Sequence, residues 1–158
     1  MTIEIEVKLD QKSLNRFLLY HYYTQVSGII SVLLSIGALV GLLVRWSAWL
    51  PMQRVILILI ALMFTVLQPL MLMWRGKKQL MTETFQIPFH YVFGEEKIRI
   101  SQEEASQEFT WDDVRKIKWR KDAIYVYMSN VSAFVLPEEQ CGGQFQELVK
   151  FTKEKMAR

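Results

Sequence analysis

Cysteine is nearly absent from this chain: Cys141 is the single thiol among 158 residues, which excludes an internal disulfide and any cysteine-rich metal site. Histidine is almost as scarce, and His21 and His90 stand far apart with no partners at ligand spacing, so neither begins a metal motif. The few glycines form no phosphate-cradling loop. An excess of one charge is also missing beyond the middle of the chain. From Arg75 onward 14 basic side chains stand against 13 acidic ones, so nucleic-acid binding is not suggested. Charge of either sign is missing from two long stretches, and these organise everything else.

Thr24–Val44 is 21 residues without a charge, about 31 Å as a helix and therefore the thickness of a bilayer's hydrocarbon layer. Val55–Trp74 is 20 residues in which only Thr65 and Gln68 are clearly polar. Pro69 near its end is tolerated where neighbouring groups satisfy the freed carbonyl. Neither stretch has the polar stripe of a globular helix. Residues 24–74 thus read as a transmembrane hairpin with spans 24–44 and 55–74. Trp46 and Trp49 in the turn and Trp74 at the far end suit the headgroup level, as do Tyr20, Tyr22 and Tyr23. Arg75, Lys77 and Lys78 form a basic collar, worth on the order of 1 kcal/mol per charge beside anionic headgroups. With Lys12 and Arg16 they set five basic residues on the flanks against Arg45 and Arg54 in the turn. The positive-inside rule then places both termini of this multi-pass protein in the cytoplasm. A signal peptide is not indicated, because patterned sequence precedes the first span and a second span follows. Ser27, Ser31 and Ser35 recur every four residues, with Gly37 and Gly41 on a neighbouring face. Small residues allow close backbone approach, either to the second span or to a second copy in a homo-oligomer.

In residues 1–23, Ile3, Ile5, Val7 and Leu9 alternate with Glu4, Glu6 and Lys8, the period of a strand with one buried face. Asp10 is placed to cap a short helix running to about Tyr22. A lone strand does not persist, so residues 2–9 are expected to pair with the domain beyond the hairpin. That domain, 75–158, begins as a strand meander from Phe85, where Ile87, Phe89, Tyr91 and Phe93 alternate with polar neighbours and Pro88 suggests an edge or bulge. Further strands are expected at Lys97–Ser101, Ala105–Trp111, Arg115–Arg120, Ala123–Ser129 and Ser132–Leu136. Phe145, Leu148, Val149 and Thr152 then form a helical stripe. The fold class is membrane α+β: a two-helix transmembrane hairpin plus a small antiparallel β-sandwich or open barrel capped by a carboxy-terminal helix.

The order of four segments adds a resemblance. Phe89-His90-Tyr91-Val92-Phe93 runs into the turn Gly94-Glu95-Glu96. Phe109-Thr110-Trp111-Asp112-Asp113-Val114, Ile124-Tyr125-Val126-Tyr127 and Ala133-Phe134-Val135-Leu136-Pro137 follow. Across residues 85–156, after two apolar spans, the chain resembles the YcxB-like family. The resemblance implies a bacterial membrane protein with a pleckstrin-homology-like (PH-like) carboxy-terminal domain, and it transfers no catalytic residues. Phosphoinositide recognition is disfavoured, since the turn where such domains place basic residues holds Glu95 and Glu96.

One stretch stands out as a candidate surface. Arg115, Lys116, Lys118, Arg120 and Lys121 put five cations in seven residues around Ile117 and Trp119. Alternation places Lys116, Lys118 and Arg120 on one face, either to meet anionic lipid or an acidic partner or to keep a strand edge solvated. The acid pairs Glu95/Glu96, Glu103/Glu104, Asp112/Asp113 and Glu138/Glu139 sit at turns and helix starts, where they cap or solvate. Trp111 is expected as a core anchor and Cys141 as an inert thiol. No enzyme, cofactor or metal is expected. The expected role is a membrane-anchored binding or scaffold protein that recruits or regulates a membrane or cytosolic partner. The alternative is a structural or protective accessory, immunity-like or of envelope stress, acting through the hairpin.

Overall fold

The computed structural model describes residues 2–157. In chain order the elements are β1 (Ile3–Val7), α1 (Gln11–Thr24), α2 (Val26–Val44), α3 (Pro51–Leu62), α4 (Gln68–Leu80) and a short α5 (Glu83–Gln86). There follow β2 (Phe89–Phe93), β3 (Lys97–Gln102), β4 (Ala105–Thr110), β5 (Lys116–Trp119), β6 (Ala123–Tyr127), β7 (Ala133–Pro137) and α6 (Phe145–Met156). Two compact units result: the chain up to Leu14 together with the chain from Gln79 onward, and Asn15–Lys78.

The first unit is α+β, with two antiparallel sheets in the orders β1-β2-β3-β4 and β5-β6-β7. The alternation in β1 buries Ile3, Ile5 and Val7 and leaves Glu4 and Glu6 exposed, and Ile5 lies opposite Tyr91 of β2. Gly94 N–H donates to the Lys97 carbonyl at 2.9 Å and turns β2 into β3. Gln102 pairs with Ala105, so Glu103 and Glu104 alone link β3 to β4. Glu103 adopts φ 50° there, a left-handed conformation that costs a side-chain-bearing residue about 1 kcal/mol.

One core joins the sheets and α6. Tyr91, Phe93, Ile98 and Ile100 meet Ile117, Ile124, Val126 and Leu136, and Phe145, Leu148 and Phe151 close over them. Each fully buried side chain of this size stabilises by about 1.5–3 kcal/mol. Gly142 and Gly143 both take positive φ, 56° and 84°, in the turn into α6, which side chains with a Cβ adopt at a cost. On α6 the buried residues are Phe145, Leu148, Phe151 and Thr152, with Val149 partly buried.

The start of this unit's second half differs from the expected strand at Phe85. Thr82 Oγ1 donates to the Gln79 carbonyl at 2.7 Å and Phe85 N–H returns to the Thr82 carbonyl at 3.1 Å. These bonds favour a helical turn, α5. Pro88 then enforces an extended Ile87, so the strand begins only at Phe89.

In the second unit two helices, Val26–Val44 and the 30-residue rod Pro51–Leu80, are long and apolar enough to cross a membrane. The rod exceeds the expected span at both ends. Pro51 occupies its first turn, where a missing N–H is harmless, and the Gln53 side chain accepts the Leu50 N–H at 3.0 Å. Its middle, Met63–Leu67, is a π-helical turn. Pro69 lacks the N–H that Thr65 would otherwise receive, and Thr65 Oγ1 donates to the Ala61 carbonyl at 2.6 Å.

Small residues form the contact between the helices. Ser31, Ser35, Ala38 and Leu42 are buried on α2 and Ala61 on α3, and Ser35 Oγ donates to the Ala61 carbonyl at 3.4 Å. Ser27 is exposed, and Gly37 has nothing within 4 Å of the position a Cβ would take. α1 and α2 are separated by Gln25, extended at ψ 158°. The bend is tight enough that a Cβ on Gly28 would lie 2.0 Å from the Tyr22 carbonyl oxygen. The Tyr22 hydroxyl and Ser31 Oγ share a hydrogen bond of 2.9 Å across it.

Candidate binding surface on β5

β5 is an edge strand of the second sheet, paired only with β6. The pleat sends Ile117 into the core and leaves Lys116 and Lys118 exposed on the other face, opposite Tyr127 and Tyr125. Lys116 Nζ lies 4.7 Å from the Tyr127 ring centroid. Arg115 precedes the strand, its N–H donating to the Tyr127 carbonyl at 2.9 Å. Arg120 N–H donates to the Ala123 carbonyl at 2.9 Å and closes the turn holding Lys121. All five cations are exposed. Among the described residues, Arg115, Lys116, Lys118 and Lys121 make no salt bridge; Arg120 has a partner of its own.

The structure separates the indole from these cations. Trp119 turns toward α6, where its N–H donates to Thr152 Oγ1 at 3.0 Å and Lys153 Nζ sits 5.8 Å from a ring centroid. Aromatic interleaving is therefore not a property of the β5 surface. The cations of β3 behave differently from those of β5. Lys97 and Arg99 both reach Glu108, at 2.9 and 2.6 Å, and the Lys97 and Arg99 hydrogen bonds hold that carboxyl below its ordinary value.

The acid pairs lie at turns. A hydrogen bond from Lys155 draws Glu95 down to about 2. Asp113 accepts the Thr110 backbone N–H at 2.7 Å and its hydroxyl at 2.8 Å, which lowers its titration. Glu139 stands 3.5 Å from Lys12, and Glu103 and Glu104 occupy the β3–β4 turn. Glu95, Glu96, Asp112, Trp111, Lys155 and Met156 line an open cleft of about 570 Å³. Carboxyls held ionised, as Glu95 and Asp113 are, can cap and pair, but they are not poised to donate protons. Trp111 donates its indole N–H to the Gly94 carbonyl at 3.0 Å and packs edge-on to Phe151. Cys141 is 1% exposed, gives its S–H to the Pro137 carbonyl at 3.2 Å and is pushed up to about 11, first by burial and then by Glu138.

The aromatic residues at the ends of the apolar helices carry cations that the sequence reading treated separately. Arg54 lies 4.8 Å from the Trp46 ring centroid and Lys78 3.9 Å from that of Trp74. Trp49 donates to the Gly41 carbonyl at 2.9 Å and receives Arg54 Nε on its own carbonyl at 3.0 Å. Arg75 and Lys77 are exposed beside Trp74. The spacing of Trp74 and Lys78, four apart on one helix face, was the legible signal.

The chain is thus an α+β protein of two antiparallel sheets and two bilayer-length apolar helices, with a cationic edge strand. Residues 93–152 match the model of the YcxB-like protein family, from the last residue of β2 through Thr152 on α6. The family resemblance read from the sequence holds over that stretch. No curated protein and no solved structure matches the chain.

Proposed function

We propose that this chain is a membrane-anchored, non-catalytic binding protein of the bacterial inner membrane. The apolar helices cross the bilayer as a hairpin with both termini cytoplasmic, and the two-sheet unit recruits or regulates a membrane or cytosolic protein. The observation that carries the anchoring is the exposure of the helices' large side chains: Leu33 is 63%, Leu43 83% and Leu59 59% exposed, a surface suited to lipid and costly in water. Four strands followed by three, ending in a helix, support a PH-like reading of the two-sheet unit. The cations of β5 supply an interaction surface for an acidic protein segment, because no acid of this chain neutralises Arg115, Lys116, Lys118 or Lys121 among the described residues.

A second reading places the function in the hairpin, as a structural or protective accessory. The π-helical turn Met63–Leu67 favours it, since such turns recur at functional sites. A mild-detergent pull-down with a carboxy-terminal tag separates the two. Under the binding reading, Lys116→Glu, Lys118→Glu and Lys121→Glu together abolish partner capture while the chain stays in the membrane fraction. Capture unchanged by that variant and lost on Ser35→Leu moves the function to the hairpin.

A further inference from the structure

The polar side chains inside the two apolar helices do not all fare alike. Ser31 Oγ donates to the Ser27 carbonyl at 2.8 Å and Thr65 Oγ1 to the Ala61 carbonyl at 2.6 Å, while Ser35 Oγ crosses from α2 to that same carbonyl at 3.4 Å. A hydroxyl on a short stem can bond a carbonyl one turn back on its own helix, which makes it tolerable in hydrocarbon. Gln68 has no such outlet. Its backbone N–H is bonded to the Met63 carbonyl, but its side-chain amide makes no hydrogen bond among the described residues.

Depth makes that vacancy costly. Gln68 stands six residues from Trp74 and fourteen from Arg54, about 9 Å and about 21 Å along a helix. Its side chain is too short to lift the amide to headgroup level from there. A carboxamide carries two N–H donors and a carbonyl acceptor, and lipid tails satisfy none of them. The hairpin offers little help, because the Ser31 and Ser35 hydroxyls are already engaged. Gln68 is partly exposed, as are Phe64 and Leu72 four residues to either side. The amide therefore lies in a row along the rod that a neighbouring helix can reach.

What complements this group is another of the same kind. A partner with only donors or only acceptors meets half of an amide. Two carboxamides related by a twofold axis each give one hydrogen and take one. Copies of this chain inserted in one orientation hold Gln68 at the same depth, so the match needs no further adjustment. We infer that a second copy of this chain docks along the row Phe64, Gln68 and Leu72, with the two Gln68 amides paired across the axis. Two hairpins then form one four-helix membrane unit. This goes beyond the binding reading above and rests on its membrane-crossing hairpin.

The test uses the full chain in phosphatidylcholine vesicles, labelled at the carboxy terminus with a donor or an acceptor fluorophore. Energy transfer is read against the protein-to-lipid ratio. The native chain should show transfer that saturates as a dimer. Gln68→Leu should weaken association roughly tenfold or more, and Gln68→Asn, which keeps the amide, should retain most of it. Iodine should cross-link Leu72→Cys between copies, and the cross-link should vanish when Gln68→Leu is added. Leu70→Cys should not cross-link, since Leu70 is 56% exposed but two positions round the helix from Gln68, on its far side. Cys141 is buried and stays silent. Resistance of each variant to alkaline carbonate extraction reports insertion separately. A chain that is extracted overturns the hairpin reading and this inference with it. An integral chain that stays monomeric at every ratio overturns this inference alone, and so does an oligomer that Gln68→Leu leaves unchanged.

Discussion

The Trp119 indole donates its N–H to the Thr152 hydroxyl across 3.0 Å and so joins β5 to α6. Thr152 is 0% exposed and donates its own hydroxyl hydrogen bond to the Leu148 carbonyl at 2.7 Å. Thr152→Val leaves the indole donor without an acceptor in a partly buried site, a loss of about 1–2 kcal/mol. Thermal unfolding in detergent should show a lowered midpoint, and Thr152→Ser should restore most of it.

Three carboxyls make stability acid-sensitive in a stated direction. Glu95, Glu108 and Asp113 are each lowered by hydrogen bonds, from Lys155, from Lys97 and Arg99, and from the Thr110 N–H respectively. A folded value below the unfolded one means that the contribution is complete above the ordinary carboxylate range. It is lost as pH falls through the lowered values, for Glu95 toward about 2. Denaturant midpoints should therefore fall between neutral pH and strong acid, and the triple variant Glu95→Gln, Glu108→Gln, Asp113→Asn should flatten part of that fall.

Two glycines of α2 should respond in opposite ways. Gly28→Ala places a methyl 2.0 Å from the Tyr22 carbonyl and forces the bend at Gln25 to open, whereas Gly37→Ala meets open space. We expect the first to lower the unfolding midpoint of the helical unit and expose Tyr22 to solvent quenchers. The second should raise the midpoint, by the roughly 0.5–1 kcal/mol that Ala gains over Gly inside a helix, and leave the quenching unchanged.

Glu103 is strained where it stands. Its φ of 50° suits glycine, so Glu103→Gly should stabilise by a few tenths of a kcal/mol, roughly the relieved strain less the added entropy of the unfolded chain. Urea titration of the two proteins at neutral pH measures the difference.

Cys141 should resist thiol reagents. Burial and a value pushed up to about 11 leave almost no thiolate near neutrality. Labelling by a disulfide-exchange reagent should be negligible in the native protein and stoichiometric in denaturant.

Much of this was legible because simple periods were respected. Ile3, Ile5 and Val7 alternate cleanly and are buried as one face, and the stripe Phe145, Leu148, Thr152 lies on the packed side of α6. The apolar runs are helices. The bend at Gln25 was not legible, because no proline marks it and the reason for Gly28 is a carbonyl brought close in space. α5 was hidden because Phe85 and Ile87 continue the alternation of β2, while the hydrogen bonds from Thr82 to the Gln79 carbonyl and from Phe85 to the Thr82 carbonyl decide the local structure. The cluster from Arg115 to Lys121 could be found by counting charges. The segregation of Trp119 from it depended on Thr152, thirty-three positions away.

The pairing of β1 with β2 has a consequence in time. Between Val7 and Phe89, which sit opposite each other, the ribosome must add the whole helical unit, about 4–16 s of synthesis at rates of roughly 5–20 residues per second. β1 emerges first and waits without a partner, and the apolar helices leave the exit tunnel before the first sheet can exist. β1 can therefore complete the first sheet only after the whole helical unit has been made.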